Sequence, residues 1–497
     1  MSKKSTIQHE TLASATDGSV SVKWFLDKNG NIPSGFDENG TFDPYSFDPG
    51  APYAPKGRLY RLQSNPTQDL EDPFDLDNLR FINKDFVLRA HEQIEHLAAT
   101  TKKELVCMIA TGGTIAMHTN AEGKLVPGIS PQYLLQFAGG NLESRFGIVS
   151  FSLPTLIDSS QMEIDYIADV VIAMSWFYEN LSKEARNRFC GFFVTHGTDT
   201  LAFSSTYAHV MLGSNCPFSV GFVAAQKTTE SRFTDVGVNF TYCLNMLAEL
   251  RISRKAAVFL SIGGTSGGAF IPAASLKVSD TDVNAFASPG RHKMMDSSDF
   301  LSKGIDLDFV NKNTTSMTVD DVYQPVVLRG FVPLTTLHAR VGVDPRKLYD
   351  YVKQIRELAI VLVTYGAFTF SRKQINAIVK AAKETDTILM AVNPFPSGST
   401  DHHYADSMYI KEQGIIPIHS LEHAVYAKVK WAQAVFGNDF RKIRFFLTGT
   451  NFVGEQPNEW TPPLDIIEEN MRLGGYRVRT YGQPRESLDK VSENIEE

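Results

Sequence analysis

A hydroxyl carried just past a glycine pair at the end of a buried strand is a candidate nucleophile, and Thr114 stands in that setting. The apolar run Val106-Cys107-Met108-Ile109-Ala110 leads directly into Thr111-Gly112-Gly113-Thr114-Ile115-Ala116. Such a run reads as a buried strand and the glycines as a tight turn that lets a ligand approach the main chain. In open α/β sheets, ligands sit at strand ends of this kind. Taken alone, the turn fits a structural corner or a phosphate cradle equally well. A second loop, Thr195-His196-Gly197-Thr198-Asp199-Thr200, follows the apolar Gly191-Phe192-Phe193-Val194. After it, Phe203, Tyr207, Val210 and Met211 recur at helical spacing, as in a helix packed on a sheet. Both threonine loops are therefore expected on strand ends of one sheet.

Together these loops are the mark of the L-asparaginase/glutaminase family, and the sequence resembles that family over roughly residues 104–470. The resemblance implies a larger N-terminal α/β domain with a mainly parallel sheet, followed by a smaller C-terminal α/β domain. It implies hydrolysis of a side-chain amide, with Thr114, Thr198, Asp199 and Lys277 as the catalytic set. Lys277 is assigned by the segment Leu276-Lys277-Val278 through Ala285-Phe286-Ala287-Ser288-Pro289, which is similar to the family's lysine followed by Ala-Phe-x-Ser-Pro. Without the resemblance a single lysine would be read as a surface residue. Asp158-Ser159-Ser160-Gln161-Met162 resembles the family's substrate-binding pair. Aligning on Met162 selects Ser159 and Ser160, aligning on Ser-Gln selects Ser160 and Gln161, and Ser160 is common to both. Hydroxyls there suit the substrate carboxylate, and the resemblance implies that Asp199 binds its α-ammonium. From the residues alone the segment also reads as the N-cap of a helix bearing Ile164, Ile167, Val170 and Val171.

Amide hydrolysis needs a nucleophile, a proton acceptor and donors for the oxyanion. A threonine hydroxyl does not ionise unaided, so a base must lie within hydrogen-bond reach. A desolvated Lys277 acting through Thr198 would meet that need. His196 is read as a structural hydrogen-bonder, because its neighbours already fill the family roles.

The chain departs from the family pattern in places. No tyrosine occurs between Thr114 and Tyr133, where the family's lid normally carries one; the polar stretch Met117 to Ser130 otherwise suits a lid. Tyr365-Gly366-Ala367-Phe368-Thr369 stands where many members have a Gly-x-Gly-Asn turn. The loop from Ala224 to Asp235, with Gln226-Lys227-Thr228-Thr229, is closest in wording to the asparaginase-like subunit of the archaeal glutamyl-tRNA amidotransferase, and Asp235 is read as a loop anchor. Gly263 to Gly268 lacks the Gly-Lys-Ser/Thr ending of a phosphate loop and is expected to be a hairpin turn.

At 497 residues and 43% hydrophobic, the chain can bury sizeable cores. The formal charge of −8 argues against a nucleic-acid partner, and no run reaches the length of a membrane span. No secretory leader is visible after Met1, and Cys107, Cys190, Cys216 and Cys243 are too scattered for a metal site or disulfide framework. The cytoplasm is the expected location. No metal or cofactor is expected: Ile32 stands where a calcium loop from Asp27 would need glycine, and His402, His403, Asp401 and Asp406 read as loop residues.

The expected organisation is a turn-rich N-terminal extension over 1–103, a catalytic domain over 104–320, a smaller domain over 321–470 and a polar tail over 471–497, with about 290–330 as linker. Three functional readings follow. The first is an asparagine amidohydrolase, with glutamine as a candidate second substrate; the second is a glutamine-hydrolysing subunit of an amidotransferase; the third is a catalytically weak binding protein on the same fold. The four catalytic-type residues oppose the third. Residues 1–103 lack the alternating strands of the β-barrel that would accompany the second. The family also implies a homo-oligomer, a dimer of dimers, acting on a small-molecule substrate.

Overall fold

The computed structural model describes residues 74–129, 142–213, 216–263, 267–280, 285–288, 326–330, 334–355, 357–394, 404–436 and 452–455, with short pieces elsewhere. Most of the N-terminal extension, residues 264–266, the 401–403 loop and the tail lie outside the described residues.

The strand predicted at 106–110 is the longer Glu104–Gly112, and Val106 to Ala110 are wholly buried. It lies between Phe146–Ile157 and Phe189–Thr195; beyond the latter come Val220–Val223 and Val258–Ile262. These five strands are parallel. Gly268–Phe270 and Met295–Asp296 extend the sheet antiparallel. Strand 104–112 is apolar from Leu105 to Ala110 because both faces are covered there, as a parallel sheet requires. Leu105, Cys107 and Ile109 face one core, built with helices Lys84–Thr100, Ile164–Glu179 and Leu201–Leu212. Val106 and Met108 face the other, built mainly on helix Val236–Ile252. The expected hairpin is present, its arms being 258–262 and 268–270.

Helix Leu201–Leu212 departs from the one-sided stripe read from sequence. All its residues except Phe203 are buried, because it lies between the sheet, helix Ile164–Glu179 and helix Glu422–Phe436. Phe203, the first residue of that stripe, is instead the exposed one.

The last thirty residues of the extension pack into the large domain. Phe74, Leu76, Ile82, Val87, Ala90 and Ile94 join its core. Asp169, wholly buried on helix Ile164–Glu179, accepts hydrogen bonds from the N–H groups of Arg80, Phe81 and Ile82 at 2.6–3.1 Å. Its other oxygen accepts from Arg329 Nη2 at 2.6 Å. The stretch read as linker is thus partly structural. Val326, Val327 and Leu328 are buried, Thr315–Ser316 pairs with Lys255–Ala256, and Arg329 fastens the segment to Asp169.

The smaller domain has four parallel strands in sequential order: Leu334–His338, Ala359–Val363, Ile388–Val392 and Ile416–Ile418. Helices Pro345–Ile355, Arg372–Thr385 and Ala405–Glu412 connect them. Helix Glu422–Phe436 returns to the large domain and carries Lys428, buried and paired with Glu455 at 2.5 Å.

Candidate active site

Parallel strands place their carboxyl ends on one edge, so the loops after 104–112, 146–157, 189–195 and 220–223 gather there. Thr111 Oγ1 donates to the Thr195 carbonyl at 2.6 Å and ties the first threonine loop to the second. Gly113 has φ +81°, and a Cβ there would fall 2.1 Å from the Gly197 nitrogen. The two loops touch backbone to backbone, which only glycine permits. A Cβ on Gly197 would meet Ser159 Oγ at 2.3 Å, so the 158–161 segment closes on the same point. Thr200 Oγ1 donates to the Ser159 carbonyl at 2.8 Å and fixes that contact.

Thr114 is half-buried at the start of the short helix Thr114–Ala116, one residue beyond the glycine contact. Thr198 is buried, one residue beyond Gly197. Lys277 Nζ donates to Thr198 Oγ1 at 3.0 Å and to Asp199 Oδ1 at 2.6 Å. Lys277 is held by its own strand pairing: Leu276–Lys277 runs antiparallel to Phe286–Ala287, with Lys277 opposite Phe286. The Ala-Phe-x-Ser segment that singled out Lys277 in the sequence is therefore its structural partner. Ser288 Oγ closes the same turn by donating to the Ala274 carbonyl at 2.9 Å.

The substrate-binding candidates divide by exposure. Ser159 is buried against Gly197, whereas Ser160 and Gln161 are exposed. Asp158 caps the short helix Ser159–Gln161 by accepting from the Ser160 N–H. The segment therefore does not cap the helix bearing Ile164, as the residues alone suggested: Ile164–Glu179 starts separately after Glu163, without a side-chain cap.

His196 is wholly buried, and burial lowers its pKa to about 4. Its Nδ1 lies 2.8 Å from the Gly197 carbonyl. That carbonyl can only accept, so Nδ1 carries the proton and the ring braces the loop. Asp235 anchors its own loop, accepting from the N–H groups of Gln226 and Lys227 and from Asn239 Nδ2.

The 117–130 stretch read as a lid contains a β-hairpin, Met117–Thr119 against Leu125–Pro127. Asn120 locks its turn, accepting from the Glu122 and Lys124 N–H groups. In the divergent turn of the smaller domain, Ala367 and Phe368 have φ 54° and 56°, values at which glycine is ordinarily found. The Phe368 ring is buried, so packing holds a backbone that the side chain resists.

Sequence reading did not pick out Thr200, Gln226 or Glu230, all of which tie loops together at this edge. Gln226 and Glu230 lie in a loop whose wording did attract attention. Their partners are 53 and 111 residues away, and no local pattern reports such pairings.

Residues 105–303 match the family model for the N-terminal domain of asparaginase. No curated protein matches the chain. Among solved structures, the thermostable L-asparaginase from Thermococcus kodakarensis is similar at 19% identity and a TM-score of 0.57, covering 71% of this chain and 99% of its own. L-asparaginase I from Vibrio cholerae is similar at 17% identity and a TM-score of 0.54, with the same coverage. At such identities the structural likeness speaks for the fold. With the domain match, residues 105–303 are similar to an asparaginase N-terminal domain, and the chain has an L-asparaginase-like fold. Among the described residues no helix is long and apolar enough to cross a membrane.

Proposed function

We propose that the chain hydrolyses the side-chain amide of L-asparagine to L-aspartate and ammonia, with Thr114 as nucleophile. Thr114 Oγ1 bonds to the amide carbon, the C–N bond breaks, and ammonia leaves with a proton. Water then opens the ester, releasing aspartate and restoring the hydroxyl. The observation that carries the reading is the Lys277 amine 3.0 Å from Thr198 Oγ1, a hydrogen bond through which a proton can pass. Lys277 also pairs with Asp199, whose side chain is 60% exposed and open to an incoming α-ammonium. That second positive charge would compete with the lysine for the carboxylate. Ser160, exposed beside Ser159, would receive the substrate carboxylate, with Gln161 next to it.

The proposal includes a cytoplasmic location, which the four buried free thiols fit, and a homotetramer built as a dimer of dimers, which the family resemblance supports. The test is product analysis with asparagine and glutamine offered separately. Aspartate and ammonia in equal amounts from asparagine support the reading. Product from glutamine alone would replace it with the amidotransferase-type activity.

A further inference from the structure

The loop 224–235 reaches both sides of the candidate site, and neither contact involves a residue placed in the catalytic set. On one side, Glu230 Oε2 accepts from Thr119 Oγ1 at 2.6 Å, and both carboxylate oxygens lie 3.2 Å from the Thr119 nitrogen. Thr119 ends the first arm of the hairpin that follows Thr114. On the other side, Gln226 Nε2 donates to the Ser279 carbonyl at 3.3 Å, two residues beyond Lys277. Asp235 closes the base of the loop on Gln226, Lys227 and Asn239, so the loop has a fixed foot from which to hold both segments.

We infer that Glu230 is a positioning residue, which latches the 117–127 hairpin beside Thr114 through Thr119, and that the 224–235 loop is the clamp that aligns this hairpin with the Lys277 segment. The inference deepens the reading of Thr114 and Lys277 as the reacting pair. The hairpin is suited to move as one piece. Its turn is locked internally by Asn120, and its root is held by the Ala116 carbonyl, which accepts from the Gly128 and Ile129 N–H groups at 3.0 Å. Charge-assisted bonds to a carboxylate are the stronger kind, yet both partners here are exposed, so the latch holds the hairpin without freezing it.

If only the latched hairpin binds substrate productively, loss of the latch reduces the competent fraction and raises the apparent KM, while kcat at saturation is kept. In Glu230→Ala, KM for asparagine is expected to rise about five- to ten-fold with kcat within about two-fold. Glu230→Gln keeps an acceptor oxygen and should recover part of the loss. Thr119→Ala should raise KM less than Glu230→Ala, and the double variant should be no worse than Glu230→Ala, since both remove one contact.

A second readout needs no substrate. Lys124 sits exposed in the hairpin turn, and the rate of tryptic cleavage after it, followed by mass spectrometry, tracks the unlatched population. That rate should rise about five- to ten-fold in Glu230→Ala at an unchanged melting temperature. An unchanged cleavage rate in Glu230→Ala, or additive effects of the two substitutions on it, would overturn the latch. Faster cleavage in a protein that hydrolyses neither amide would support the latch and remove the proposed reaction, so the two can fail separately.

Discussion

Replacing Lys277 by methionine separates chemistry from stability. Methionine keeps an unbranched stem of similar length and removes the amine. The Lys277–Asp199 contact is 2.6 Å long, but Asp199 is 60% exposed and Lys277 21%. A pair so open to water contributes only about 0–1 kcal/mol to folding. The other contact, 3.0 Å to Thr198 Oγ1, is the one the proton route needs. Loss of a positioned base costs about 10²- to 10⁴-fold in rate, or roughly 3–5 kcal/mol in the barrier. Lys277→Met is therefore expected to melt within a few degrees of wild type and to release ammonia from asparagine at least about 100-fold more slowly at saturation. Ammonia release followed continuously, with a thermal melt on the same preparation, measures both. A kcat within about three-fold of wild type would refute the lysine's part in proton transfer, because that loss is far below what a removed base costs.

Three further outcomes are expected. His196 titrates near 6.5 when unfolded and at about 4 when folded, so between these values the unfolded chain takes up a proton that the folded chain refuses. Stability is then fully present above pH 6.5 and falls toward pH 4 by about 3 kcal/mol from this residue, and melts across that range should flatten in His196→Asn. Gly113→Ala puts a methyl group 2.1 Å from the Gly197 nitrogen at φ +81°, and the displaced loops should cost at least about 100-fold in turnover, measured as ammonia release. Asp169→Asn leaves Arg329 without its buried charge partner and disturbs the three N–H groups held by Asp169, which should lower unfolding stability by about 3–5 kcal/mol in a denaturant titration.

The legible parts of this chain were local. The strand into Thr111-Gly112-Gly113-Thr114 and the matching loop at 195–200 announced themselves through apolar runs ending in glycine, and the structure shows them as adjacent parallel strands whose loops touch. Helices Pro345–Ile355 and Arg372–Thr385 carry similarly local marks, a proline at the first position of one and Ser371 just before the periodic face of the other. What escaped was set by distant partners. Residues 326–330 looked like linker because their polar neighbours give no periodicity, yet Arg329 finds Asp169 160 residues away. Helix Ala405–Glu412 buries only Ser407 and Ile410, too few for a stripe to show. Within the candidate site, Thr114 could be singled out from its strand and glycine turn, whereas Thr198, Asp199 and Lys277 were assigned only through the resemblance. The environment of Lys277 depends on Phe286–Ala287 folding back to pair with it.

The most direct measurement is ammonia release from L-asparagine by the purified chain and by Thr114→Ala, side by side. Steady release by the wild type, lost in the variant at an unchanged melting temperature, is the result expected of a threonine amidohydrolase. Equal release by both proteins would contradict Thr114 as nucleophile, and none from the folded wild type would contradict the proposed reaction itself.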